Sequence, residues 1–212
     1  MKGIIFDMDG VVVDNHSYHF KAWMAFAEKY KFPLNEDIYR DHYNGKTNAD
    51  LFKMIFGSIS EEEIKSYSNE KEDLYQELYK PHMKPHRGLV EFLKIGQERG
   101  LKVALGTSAP TRNVDFVLDQ LNLRSYFDVI VDGSHVERGK PDPQVYLLCV
   151  KNLGLISEDC VVFEDSLAGL ESAIRAGCRA IGVATSHRSE ELMVKTTEII
   201  HDFTEVQKVL RL

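Results

Sequence analysis

Ile4-Ile5-Phe6-Asp7-Met8-Asp9-Gly10 opens the chain on a short apolar run that stops at two carboxylates spaced i, i+2 and a glycine. Apolar runs of this length, bounded by turn residues, read as strands buried on both faces. Asp and Gly behind a strand are also ordinary turn chemistry. The tetrapeptide Asp7-Met8-Asp9-Gly10 therefore acquires chemical meaning only from what accompanies it downstream.

The chain's 212 residues, 43% hydrophobic and 28% charged, suffice for a full core in one domain or in one domain carrying a large insertion. A formal net charge of -7 argues against a general nucleic-acid or anionic-membrane surface, since both need a basic excess. A phosphorylated ligand would be met locally, by a few placed cations or a metal. Cys149, Cys160 and Cys178 have no paired-ligand spacing and read as buried reduced thiols. The apolar run before Asp7 is too short for a signal segment and none elsewhere reaches membrane-spanning length, so the cytoplasm is the expected compartment.

Beyond Gly10, Val11-Val12-Val13-Asp14-Asn15 reads as an extended exit from the first strand. Phe20, Trp23, Met24 and Ala27 then recur at i, i+3, i+4, i+7, which predicts a helix with one buried stripe and makes Trp23 a core residue. Pro33 ends that run. Residues 36–43 and 49–56 read as two short helices around the polar loop Asn44-Gly45-Lys46-Thr47-Asn48. Ser60-Glu61-Glu62-Glu63 is a capping box opening a long helix, with Ile64, Tyr67, Leu74 and Leu78 on one face and the charges between them solvated.

From Gly88 the period changes to helices alternating with apolar runs. Strands are expected at 102–106, 128–131, 160–163 and 180–183, separated by helices near 88–97, 114–121, after Pro143 and from Leu167. This alternation predicts an α/β, doubly wound, Rossmann-like parallel sheet built from 1–14 and 82–212, with a helical domain inserted at 15–81.

In such sheets the ligand crevice lies beyond the carboxyl ends of the strands. The first strand ends in Asp7 and Asp9, the second in Thr107-Ser108, and the fourth in Glu164-Asp165, while Lys140 precedes the helix after the third. Asp7, Asp9, Glu164 and Asp165 are hard oxygen donors of the kind that hold Mg2+. Thr107 and Lys140 can grip phosphoryl oxygens. One carboxylate can then attack phosphorus and another can move a proton.

With Asp7-Met8-Asp9-Gly10-Val11, Gly106-Thr107-Ser108, Gly139-Lys140-Pro141 and Phe163-Glu164-Asp165-Ser166 in this order, the chain resembles the haloacid dehalogenase superfamily over essentially its whole length. The similarity is to its β-phosphoglucomutase and phosphatase-like branch, which carries a small helical cap. The resemblance implies that Asp7 is the nucleophile that becomes an aspartyl phosphate and that Asp9 is the general acid/base. It implies that Thr107 and Lys140 bind the transferring phosphoryl group, with Ser108 a candidate substrate contact beside them. Glu164 and Asp165 would hold Mg2+ beside Asp7 and the Asp9 backbone carbonyl. Asp9 also argues against the dehalogenase branch, where a second aspartate is not expected in this place.

Residues 15–81 would be the cap that closes over the site and reads the leaving group. His19, in Tyr18-His19-Phe20-Lys21-Ala22-Trp23, resembles a residue of the first cap helix of sugar phosphomutases, and Lys46 and Asn48 would face the substrate. Mutases of this branch carry an arginine three residues after Gly45 and a lysine just before it; here Asn48 and Asn44 stand in those places. Lacking a bidentate arginine fork, the loop would hold a second phosphate weakly, which favours hydrolysis.

The expected enzyme is a Mg2+-dependent phosphatase of a small phosphorylated metabolite such as a sugar phosphate, monomeric, with no nucleic-acid or membrane partner. A sugar phosphomutase using the same aspartyl phosphate is the alternative. A signalling receiver domain also gathers acids, a hydroxyl and a lysine at strand ends, but offers no place for the helical insertion.

Overall fold

The computed structural model describes residues 1–43 and 46–208, and Asn44 and Gly45 of the polar loop lie outside the described residues. The chain divides into two compact units, one of Met1–Asp14 with Lys84–Leu212 and one of Asn15–Met83.

In the first unit the apolar runs form a parallel sheet of β1 (Gly3–Phe6), β2 (Lys102–Gly106), β3 (Val129–Val131), β4 (Cys160–Glu164), β5 (Arg179–Val183) and β6 (Ile199–Ile200). The strand order is β3-β2-β1-β4-β5-β6. The order reverses at β1, which pairs with β2 on one side and β4 on the other: Phe6 lies opposite Leu105 and opposite Phe163. That reversal is a topological switch point, where open α/β sheets bind ligands. The α/β doubly wound class expected from the alternation is the fold observed.

Both sheet faces are dry because the period-2 alternation of buried strands sends apolar residues each way. On one face Phe6 stacks on Phe163 at 5.4 Å between centroids, with Phe92 and Phe203 packed around them. On the other, Ile5, Ala104 and Val162 meet Tyr146, Cys149 and Leu170. All three cysteines are free and buried, which matches the expectation of reduced thiols acting as small apolar side chains.

The second unit consists of α1 (His16–Tyr30), α2 (Glu36–Ile38) continued by a π turn over Tyr39–Tyr43, α3 (Asn48–Phe56) and α4 (Glu61–Tyr79). The Ser60–Glu63 capping box forms as read: Ser60 Oγ accepts the Glu63 N–H and Glu63 accepts the Ser60 N–H. The first unit adds α5 (Leu89–Glu98), α6 (Thr111–Gln120), α7 (Gln144–Leu153), α8 (Leu167–Arg175) and α9 (Ser189–Leu192). No described helix is long and apolar enough to cross a membrane.

Several expectations are corrected. Val11-Val12-Val13 is not extended: the N–H groups of all three turn back on the Met8 carbonyl, and Gly10 N–H donates to the Val13 carbonyl. Gly10 permits this with φ of 78°. On α1 the buried residues are Ala22, Trp23, Phe26 and Ala27, and Met24 is exposed. On α4 Leu78 is exposed, whereas Lys71 and Glu72, read as solvated, are buried with Ile64, Tyr75 and Tyr79. β6 was not expected.

Candidate active site

Apart from Lys140, each candidate in the first unit stands at or just beyond a strand's carboxyl end. Asp7 follows β1 without a break, its N–H donating to the Phe163 carbonyl at 3.0 Å, and it is 8% exposed. Asp9 sits half-buried in the turn after it. That turn is pinned from two sides, by the His86 N–H on the Val12 carbonyl and by Thr185 Oγ1 on the Gly10 carbonyl. Thr107 follows β2; its N–H donates to the Val131 carbonyl, its Oγ1 accepts the Ala109 N–H, and it is buried. Ser108 beside it is exposed.

Lys140, in the loop before α7, binds two carboxylates. Its Nζ lies 2.8 Å from Asp7 Oδ1 and 2.5 Å from Glu164 Oε1, and all three side chains are nearly buried. Burial raises the Asp7 carboxyl to about 8; Lys140 opposes the rise, and Glu164, Asp165 and Asp9 add to it. Burial works against the charge on Lys140, yet the two carboxylates outweigh it and hold the ammonium above its ordinary value. One lysine thus faces several acids, leaving the cluster electrostatically short of positive charge.

That deficit is what a divalent cation would fill. Oxygen atoms of Asp7, Glu164 and Asp165 lie within 4.8 Å of one another, and all three residues are buried. The donor set is hard and oxygen-only, the chemistry Mg2+ prefers. Within the set Glu164 is differently occupied. Its Oε1 accepts Lys140 Nζ and the Tyr146 hydroxyl, and its Oε2 accepts the Ser166 N–H and Oγ. Asp7 and Asp165 are therefore the members of the set with oxygen left for a cation, and Glu164 in this arrangement is the acceptor that fixes Lys140. Gly169 leaves room for it: a Cβ there would fall 1.7 Å from Glu164 Oε1.

Residues just past β5 complete the shell; the sequence leaves the place of His187 and Arg188 there open between the crevice and solvent. Thr185 Oγ1 lies 2.7 Å from the Gly10 carbonyl and 3.4 Å from Asp165 Oδ2, joining the turn after β1 to the end of β4. Ser186 Oγ donates to the Asp165 carbonyl, and His187 Nδ1 lies 3.1 Å from the same oxygen. Arg188 faces solvent and pairs with Glu191. Neither Tyr146 nor Thr185 carries a charge or a motif, so the sequence signal for them is only their place, one on the helix after Lys140 and one beyond β5.

The remaining candidates belong to the helical unit and are described within it. His19 stacks on Tyr75 at 3.8 Å, and its Nδ1 lies 3.0 Å from Lys71 Nζ. Lys71 also pairs with Glu72, whose Oε1 accepts Asn48 Nδ2 at 2.6 Å. Lys71 and Glu72 are each about 3% exposed, so His19 and Asn48 are tied to one buried ion pair. Lys46 is exposed.

Comparison with known proteins places the chain. A family model described as haloacid dehalogenase-like hydrolase matches residues 4–183. A phosphorylated carbohydrates phosphatase of Thermotoga maritima is 35% identical, over 97% of this chain and 100% of that one. A β-phosphoglucomutase of Bacillus subtilis is 29% identical, over 99% and 98%. A crystal structure of a family IA, variant 3 hydrolase of this superfamily from Entamoeba histolytica superposes with a TM-score of 0.89 at 31% identity, covering 97% and 95%. The chain belongs to the haloacid dehalogenase-like hydrolase family.

Proposed function

We propose that this enzyme is a Mg2+-dependent phosphatase of small phosphorylated metabolites, with sugar phosphates as its substrate class, acting through an aspartyl phosphate on Asp7. The observation that carries the reading is the buried Asp7, paired with Lys140 and grouped with Glu164 and Asp165 at the switch point of the sheet. The likeness to the T. maritima carbohydrate phosphatase supports the substrate class.

In this reading an Asp7 carboxylate oxygen attacks phosphorus while the ester oxygen leaves with a proton from Asp9. Asp9, now a carboxylate, takes a proton from water, whose oxygen attacks the aspartyl phosphate and regenerates Asp7. Lys140, Thr107 and Ser108 hold the phosphoryl oxygens in line. Asp7, Asp165 and the Asp9 carbonyl, with Glu164 alongside, would hold Mg2+, which would supply positive charge to the transferring phosphoryl group. The helical unit, with His19, Lys46 and Asn48, selects the leaving group. The enzyme is read as a cytoplasmic monomer.

The B. subtilis likeness favours a second reading, a sugar phosphomutase. Hydrolysis is preferred because Asn48 is a neutral amide engaged by the Glu72 carboxylate, not a guanidinium presented to a second phosphate. The test is phosphorus NMR of the purified protein with Mg2+, hexose 1-phosphates and a trace of hexose bisphosphate, beside an Asp7→Asn control. Inorganic phosphate as the main product, lost in the control, supports the phosphatase. Hexose 6-phosphate forming faster than inorganic phosphate supports the mutase.

A further inference from the structure

We propose that Tyr146 is a positioning residue for phosphoryl transfer: it fixes the Lys140 ammonium from two directions, through its ring face and through its hydroxyl on Glu164. The proposal rests on the phosphatase reading only for its kinetic readout.

The geometry is specific to this side chain. The Tyr146 hydroxyl donates to Glu164 Oε1 at 2.9 Å, the same oxygen that accepts Lys140 Nζ. The ring of Tyr146 lies beneath that ammonium, with Nζ 4.9 Å from its centroid. A lysine over an aromatic face is held electrostatically, more strongly when desolvated, and Tyr146 is fully buried. Its ring also packs against Gly106, where a Cβ would come within 3.2 Å of two ring carbons, and Gly106 immediately precedes Thr107. One side chain thus touches β2 just before Thr107, the carboxylate at the end of β4, and the cation paired with Asp7.

A lysine carries four rotatable carbon bonds and a compact charge, so alone it is a poorly aimed donor. Glu164 and the ring together leave its Nζ one direction, toward Asp7 Oδ1. With both Oε2 partners supplied by Ser166, loss of the Tyr146 hydroxyl would leave Oε1 with Lys140 alone and let that carboxylate turn. The consequence would fall on phosphoryl transfer, where Lys140 must meet developing charge, more than on binding of the ester.

The test uses the full-length protein with Tyr146→Phe, which keeps the ring, and Tyr146→Leu, which removes it. Steady-state hydrolysis of a phosphomonoester with Mg2+ gives kcat and KM. Carbon-edited NMR of the Lys140 ε-methylene reports the ring directly, because a methylene over an aromatic face resonates upfield. For Tyr146→Phe we expect kcat to fall about ten- to a hundredfold, the effect of one hydrogen bond to a charged group, with KM within about twofold and the upfield resonance retained. For Tyr146→Leu we expect a larger fall and an ordinary lysine resonance. Wild-type kcat in Tyr146→Phe overturns the proposal, as does an ordinary Lys140 resonance in the wild type. If the wild type hydrolyses no phosphomonoester, the functional reading falls, and the resonance alone decides the positioning.

Discussion

Asp7→Asn should stabilise the metal-free protein, and increasingly so as the pH rises. The Asp7 carboxyl is raised from an ordinary 3.8 to about 8, first by burial and then by three neighbouring carboxylates, against Lys140. A folded-state value above the unfolded one means stability that is full below the unfolded value and lost as pH rises through the folded one. Between about pH 5 and pH 8 the native state holds a proton that the unfolded chain has released, so stability falls by up to about 1.4 kcal/mol per pH unit. Over that window the ceiling is about 4 kcal/mol. Asparagine has no proton to lose, and Lys140 keeps Glu164 as its partner. At this size about 1 kcal/mol moves Tm by roughly 2–4 °C. Thermal unfolding in excess chelator should therefore show the variant's Tm advantage growing by several degrees between those pH values. Mg2+ should then raise the wild type more than the variant, since binding to the native state alone stabilises it. A Tm difference that stays flat with pH in chelator would refute the electrostatic account of Asp7.

Other consequences can be measured directly. Lys140→Met leaves two buried carboxylates without their counter-charge and should cost about 3–5 kcal/mol in chemical denaturation, besides abolishing turnover. Gly169→Ala puts a methyl 1.7 Å from Glu164 Oε1; strain of about 1–3 kcal/mol and a loss of kcat out of proportion to that strain are expected. Thr185→Val removes the hydroxyl joining Gly10 to Asp165 and should cost about 1 kcal/mol, with weaker Mg2+ binding by titration calorimetry. Glu72→Ala strips Lys71 of its buried partner in the helical unit and should destabilise by about 3–5 kcal/mol in chemical denaturation.

The fold class was legible because its strands are unambiguous: Ile4-Ile5-Phe6, Val103 to Gly106 and Cys160 to Phe163 are continuous apolar runs, and each forms a buried strand. The end of such a run marks the crevice side, so the polar residues behind β1, β2 and β4 belong together on sequence alone. Residues whose burial depends on tertiary contacts were not legible. Val11-Val12-Val13 has strand-like composition, but Gly10 lets the chain fold back on the Met8 carbonyl. Lys71 and Glu72 look solvated in a charged stretch, yet they neutralise each other in the interior beside His19 and Asn48. Met24 and Leu78 fit a 3.6-residue stripe and still lie outside the packed face, because the stripe's centre falls on Phe26 and Tyr75. The two residues of β6 are too short to show a period. Tyr146 acts through its hydroxyl and its ring face, and neither appears as a pattern in sequence.

The central claim is that Asp7 itself carries the phosphoryl group. Acid quenching of the wild-type enzyme during turnover of a sugar phosphate with Mg2+, followed by mass spectrometry of the peptide containing Asp7, tests it most directly. The account predicts the added mass of one phosphoryl group on Asp7, absent in Asp7→Asn and absent with chelator. Steady hydrolysis with no phosphoryl on Asp7, together with retained activity in Asp7→Asn, would contradict it.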